Sequence, residues 1–165
     1  MLQRGLIFTI ISCLLASGLA QENEASASLS SSPEHIKKQI PSSFEQIGSR
    51  FFYISRFARK NWFAAADTCR QIGGQLATIQ SDEELAAISP HLKRESYWID
   101  MNDLVANGKY VSWSTGKAAT YFKWHPNQSE AKLNNEHCVD LFQAEMFYGS
   151  CFNKNLFICE AIEEN

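Results

Sequence analysis

Basic residues are in the minority in this chain. Its 165 residues include 15 Lys and Arg against 18 Asp and Glu, a formal charge of −3. That balance supplies no general basic character for nucleic acid and no overall attraction to an anionic membrane. Long apolar runs are lacking too: the stretch from Leu6 to Leu15 is about half of the ~20 residues a membrane span needs. There is no internal repeat, no Gly-x-Ser-x-Gly, no zinc-protease histidine spacing and no Gly-rich phosphate loop. His35, His91, His125 and His137 read as solvated loop side chains. The rival reading is a zinc site from His125 and His137 with Glu130 and Glu136. His137 adjoins Cys138, but an oxidised cysteine is no nucleophile. No enzyme is expected.

What is present points to export. Hydrophobic residues make up 45% of the chain, enough for a real core in one ordinary domain plus a leader. Arg4, the apolar stretch and the small residues of Ala16-Ser17-Gly18-Leu19-Ala20 form the three parts of a secretory signal, expected to be cut after residue 20. Cleavage removes Arg4 and takes the net charge from −3 to −4. It also removes Cys13 and leaves Cys69, Cys138, Cys151 and Cys159, an even set for disulfides in a secreted, extracellular chain. Residues 21–48 are Ser-rich and read as a flexible linker. Ile36, Ile40, Phe44 and Ile47 would make a helical stripe there, but Pro41 interrupts it.

The folded domain is expected over residues 49–165, with a first strand at Phe51 to Ser55. Trp62, Ala66, Cys69 and Ile72 lie one turn apart and predict a helix, capped by Asn61 and ended by Gly73-Gly74. Ser81 and Glu84 have capping-box spacing for a second helix bounded by Pro90. Short strands follow at Tyr97 to Met101, Tyr110 to Trp113, Cys138 to Phe142, Met146 to Ser150 and Leu156 to Glu160. Helices first and strands afterwards make an α+β plan. Trp62, Trp98 and Trp113 are expected in the core.

Several of these segments resemble one family. Trp62 to Ala77, which ends in Gly73-Gly74-Gln75-Leu76-Ala77, is similar to the first-helix signature of C-type lectin-like domains. Tyr97-Trp98-Ile99-Asp100 resembles that family's Trp-Ile-Gly-Leu strand, with Asp100 in place of glycine. Tyr110-Val111-Ser112-Trp113 and Phe157-Ile158-Cys159-Glu160 match as well, so the resemblance runs from about Ser49 to Glu160. By the cysteines alone three pairings are open. The resemblance implies Cys69–Cys159 and Cys138–Cys151, the first closing a loop of roughly 90 residues worth about 4–5 kcal/mol. It also implies a small secreted module of the insect lectin type that binds glycans.

In sugar-binding members one calcium ion sits on a Gln-Pro-Asp or Glu-Pro-Asn triplet, a Glu before a cysteine, and an Asn-Asp pair. Calcium takes 6–8 oxygens, so carboxylates and amides suit it. The aligned triplet here is Gln128-Ser129-Glu130, nearer the galactose type, and Glu136 holds the glutamate position. Gln128, Glu130 and Glu136 are therefore the calcium and sugar candidates, while Phe147 and Tyr148 stand where the Asn-Asp pair belongs. That exchange removes two ligands and sets Ca²⁺ in question. Trp124 either stacks on a sugar or packs in the core. Asn127-Gln128-Ser129 is a glycosylation sequon. Two functions follow: glycan or glycoprotein binding, or calcium-independent binding of a protein on an apolar patch of Met146, Phe147 and Tyr148.

Overall fold

Two side-chain caps place the helices. Asn61 accepts a hydrogen bond from the backbone N of Ala64 at 2.8 Å, which satisfies an orphan donor at a helix start, and helix α1 spans Trp62–Gln71. Ser81 does the same for Glu84 at 3.2 Å, opening α2 at Asp82–Ile88. Asp82, Glu83 and Glu84 fill its first turn, where the helix dipole favours negative charge. Pro90 falls in a 3-10 turn, Ser89–His91, that follows α2. These elements come from a computed structural model that describes residues 40–128 and 135–162. The expected signal, most of the expected linker, and His35, Ser129 and Glu130 lie outside the described residues.

Among the described residues eight strands form one sheet: β1 (Glu45–Ile47), β2 (Arg50–Ile54), β3 (Gly74–Leu76), β4 (Tyr97–Asn102), β5 (Val111–Ser112), β6 (Glu136–Phe142), β7 (Glu145–Ser150) and β8 (Leu156–Ala161). The order is β1-β2-β8-β4-β6-β7, with β3 also on β8 and β5 on β4. Strand β8 is the hub. It runs antiparallel to β2 and β3 and parallel to β4. The architecture is α+β, as the element pattern implies.

One core cluster is mainly aliphatic and includes Ile79, Ile88, Ile99, Leu141 and Ile158. The other is aromatic and gathers Trp62, Trp98 and Phe157 around both disulfides. Those bridges join Cys69 to Cys159 and Cys138 to Cys151, the pairing the resemblance implies. Trp62 and Trp98 are fully buried and donate to the carbonyls of Ile99 and Lys60, respectively.

Two expectations need correction. Residues 40–48 are not linker: β1 pairs with β2, Phe44 and Ile47 are buried, and Ile40 packs on the aromatic cluster. The apolar spacing there marks contact with the core. Trp113 is not a core residue: it is 53% exposed and sets its edge against Trp62 at 5.6 Å.

Gly74 is required by a close approach. A β-carbon there would lie 2.3 Å from the Glu160 carbonyl oxygen and 2.7 Å from the Phe44 ring. Gly74→Ala is expected to cost about 3 kcal/mol, measured as a lowered denaturation midpoint. An unchanged midpoint would contradict the tight β3–β8 contact.

Candidate functional site

The loop that leaves β4 is pinned by Asp103. One of its fully buried carboxylate oxygens accepts from the N–H of Gly108 at 2.6 Å, and the other lies 3.0 Å from His137 Nδ1. Backbone N–H of Asp103 donates to the His137 carbonyl at 3.0 Å. The start of the long loop is thus tied to the start of β6.

Farther along, the loop lies against the edge strand β7. Met146 N donates to Lys123 O at 2.7 Å, and His125 N to Met146 O at 3.0 Å. This pairing assembles a run of aromatic rings. Tyr110 sits 4.9 Å from Trp124, Phe122 stacks beside Trp124 at 6.0 Å, and Tyr148 meets Trp124 edge-on at 5.7 Å. His125 stacks on Phe147 at 4.8 Å. Offset and edge-on pairs at such separations are favourable ring contacts. Phe122 is 43% exposed, while Trp124, Phe147 and Tyr148 are half-buried. Burial, and secondarily Glu136, pushes the Tyr148 hydroxyl pKa up, so it stays a neutral donor at physiological pH.

The structure brings Gln128 and Trp124 together on Tyr148. Gln128 lies in the short helical turn Pro126–Gln128, and its Oε1 accepts from Tyr148 N at 3.1 Å. Glu136 opens β6 opposite Ser150. Asn127 is exposed in the same turn as Gln128, and Trp124 packs partly on the aliphatic core. Met146, expected in an exposed patch, is fully buried. The alternation of β7 turns it inward between Glu145 and Phe147. Tyr110 and Asp103 were not singled out for the site from sequence, because Trp124 and His137, which they meet, lie 14 and 34 positions away; Phe122 lies two positions from Trp124 and belongs to no motif.

The described residues of this site do not by themselves make a calcium shell. The Gln128 oxygen is engaged by Tyr148 N–H, and positions 147 and 148 offer aromatic rings where 6–8 oxygens are needed. Among the described residues no three His, Cys, Asp or Glu are grouped to hold a metal. His125 and His137 have separate neighbours, Glu145 at 3.9 Å and Asp103 at 3.0 Å.

With the fold, the two bridges and the long-loop geometry established, comparison settles the family. The Lectin C-type domain model matches residues 58–161. The chain belongs to the C-type lectin family. Accessory gland protein Acp29AB of Drosophila simulans is 41% identical over 121 residues, covering 73% of this chain and 51% of that protein. The Drosophila melanogaster protein of the same name is 43% identical over 72% of this chain and 50% of its own length, so this chain spans about half of each. C-type lectin 37Db of Drosophila melanogaster is 38% identical over 70% of this chain and 79% of that protein. Among solved structures, the mouse scavenger receptor C-type lectin carbohydrate-recognition domain superposes with TM-score 0.68 at 24% identity, over 76% of this chain and all of that one. A calcium-independent type II antifreeze protein gives 0.66 at 22%, over 75% of this chain and 95% of that one. The family is generally non-enzymatic. No helix among the described residues is long and apolar enough to cross a membrane.

Where this lectin-family chain has Asp100 in the core strand, a second concavity opens. About 470 Å³ in volume, it lies between the β3–α2 segment and the hairpin after β5, with Thr78, Asp100, Ser112, Lys117 and Glu160 in its lining. Asp100 accepts from Ser112 Oγ at 2.5 Å and from Ser114 N and Oγ at 3.2 and 3.1 Å. Burial outweighs those bonds and raises its pKa to about 6. Burial likewise raises Asp140 to about 7, against hydrogen bonds from Ser96 and Asn155.

A carboxyl whose folded pKa exceeds its unfolded value favours folding in its protonated form. The contribution is full below about pH 4 and is lost as pH rises through about 6 for Asp100 and about 7 for Asp140. Each loss is on the order of 3–4 kcal/mol. Thermal scans from pH 5 to 8 are expected to show a falling midpoint, and the double substitution Asp100→Asn with Asp140→Asn to flatten it. A wild-type midpoint that rises across this range would refute the assignment.

Proposed function

We propose that the chain is a secreted recognition module that binds a glycan or glycoprotein without calcium, on the aromatic surface of Phe122, Trp124, Phe147 and Tyr148. The observation that carries this reading is the Gln128–Tyr148 hydrogen bond at 3.1 Å, which turns a family calcium ligand into a support for the ring cluster. A sugar ring has an apolar face that can lie on an exposed aromatic side chain, and Phe122 and Trp124 present stacked rings. The fold itself tolerates this change, since one of its structural neighbours is described as calcium-independent. Galactose preference loses its basis once the triplet no longer binds metal. Export agrees with the signal pattern of residues 1–20 and with relatives named for accessory gland and saliva. A glycan on exposed Asn127 would stand at the rim of the same surface.

A protein ligand is the second reading. Leu104 and Val105, exposed on the loop pinned by Asp103, favour it, with Val105 89% exposed. Both readings share the calcium result and part on competition by free sugar.

A ligand bound only by the native state raises stability by about 2.7 kcal/mol at a hundredfold excess over its dissociation constant. The mature protein is expected to melt at the same temperature in millimolar calcium and in chelator, with the Asn127 glycan on or removed. A clear calcium-dependent rise would overturn the proposal. Glycan-array binding that persists in chelator and falls at least about tenfold in Phe122→Ala would support sugar stacking on the rings. An empty array, with a protein captured through the same surface, would favour the second reading.

A further inference from the structure

The net negative charge hides a segregation that the topology creates. Strand β2 ends, and β4 and β8 begin, at one end of the sheet, because β8 is antiparallel to β2 and parallel to β4. The β6–β7 hairpin turns at that same end, since Leu141 pairs with Tyr97. Four connections therefore emerge side by side: residues 55–61, 91–96, 143–144 and 151–155. They carry Arg56, Arg59, Lys60, Lys93, Arg94 and Lys154, six of the 15 cations in the chain. Glu95 is the one acid within these connections, and Glu145 follows at the start of β7.

Contacts show that these segments form a single surface. Arg56 donates to the His91 carbonyl at 3.2 Å, and Lys93 Nζ to the Arg56 carbonyl at 3.0 Å. Lys60 and Asn155 exchange backbone hydrogen bonds at 2.9 and 3.1 Å, which sets Lys154 beside Lys60. Arg59 pairs with Glu95 at 2.8 Å, with both side chains about 40% exposed or more. An exposed pair of this kind contributes little and is readily exchanged for another anion. Phe57 stands among the cations at 88% exposure, with Lys93 Nζ 4.7 Å from its ring centroid.

We propose that this basic end of the sheet is a second interaction surface, separate from the aromatic one, and that it binds a sulfated polysaccharide chain. Charge complementarity carries the assignment: six cations on neighbouring loops, with one exchangeable acid among them, match a linear polyanion better than any neutral partner. A bilayer is the poorer fit. Phe57 and Phe152 are the large apolar side chains exposed on the four connections, but Phe152 is set against Phe63 of α1 at 6.1 Å. That leaves Phe57 as the ring held among the cations, by Lys93, and stable membrane attachment takes more than a single anchoring signal.

The test uses the full mature protein and heparin as the probe, with hyaluronan, which is carboxylated but unsulfated, as the comparison. Binding to heparin is expected at low salt and should weaken steeply as salt rises. Arg94→Glu with Lys154→Glu should reduce affinity at least about tenfold. Lys109→Glu with Lys117→Glu makes the same change in net charge elsewhere and should leave binding within about twofold. All four are exposed side chains, and matched melting midpoints confirm that the variants fold. The proposal is overturned by no binding to heparin, by equal binding to hyaluronan, or by equal loss in the two double variants. Binding confined to phosphatidylserine vesicles and abolished by Phe57→Ala would assign the surface to membranes instead. The aromatic-surface variant Phe122→Ala should not alter heparin binding, so this proposal and the ligand reading above fail separately.

Discussion

Everything in this domain leans on strand β8. It pairs with β2 along one edge and with β4 and β3 along the other, so its backbone is shared by the chain's beginning, middle and end. Cys159 on this strand ties it to α1. Glu160 draws in Arg50 from β2, Gln75 from β3 and Thr78 just beyond. Burial raises the Glu160 pKa, and the Arg50 charge is the first influence working against that rise. A buried carboxylate is tolerable only when paired and hydrogen-bonded, and Glu160 has both. Gly74 completes the arrangement by letting β3 come against the Glu160 carbonyl, where no side chain would fit.

With the sheet held in this way, the long loop is free to change its chemistry. The Asp103 carboxylate and its backbone N–H, which donates to the His137 carbonyl, hold its start, and two backbone hydrogen bonds with Met146 hold its later part. Neither anchor needs a metal ion. Phe147 and Tyr148 stand where the family pattern has oxygen ligands, and Gln128 accepts from the Tyr148 N–H. The ring cluster is held by residues at the positions where the family pattern has calcium ligands.

Much of the fold was legible in the residues themselves. Asn61 and Ser81 cap their helices because short polar side chains before an apolar periodic run satisfy orphan N–H groups. Strands β4, β6, β7 and β8 fall within two residues of where their apolar patterns place them. The short strands β1 and β3 were less visible, since three residues are too few to show a period. The hairpin between β6 and β7 gave no turn signal either: Gln143 and Ala144 both take positive φ there, 51° and 63°, without glycine or asparagine.

Sequence by itself determined the family, the helix caps and the set of four cysteines in the folded domain, because those depend on local chemistry and on order along the chain. Which polar atoms meet was decided only in three dimensions. Gln128 reads as a metal ligand until its oxygen is found on Tyr148, 20 positions away. Met146 reads as exposed until β7 turns it inward, and Trp113 reads as buried until its hairpin leaves it at the surface. The net charge likewise describes the whole chain, whereas the field at one surface depends on which loops the sheet brings to the same end.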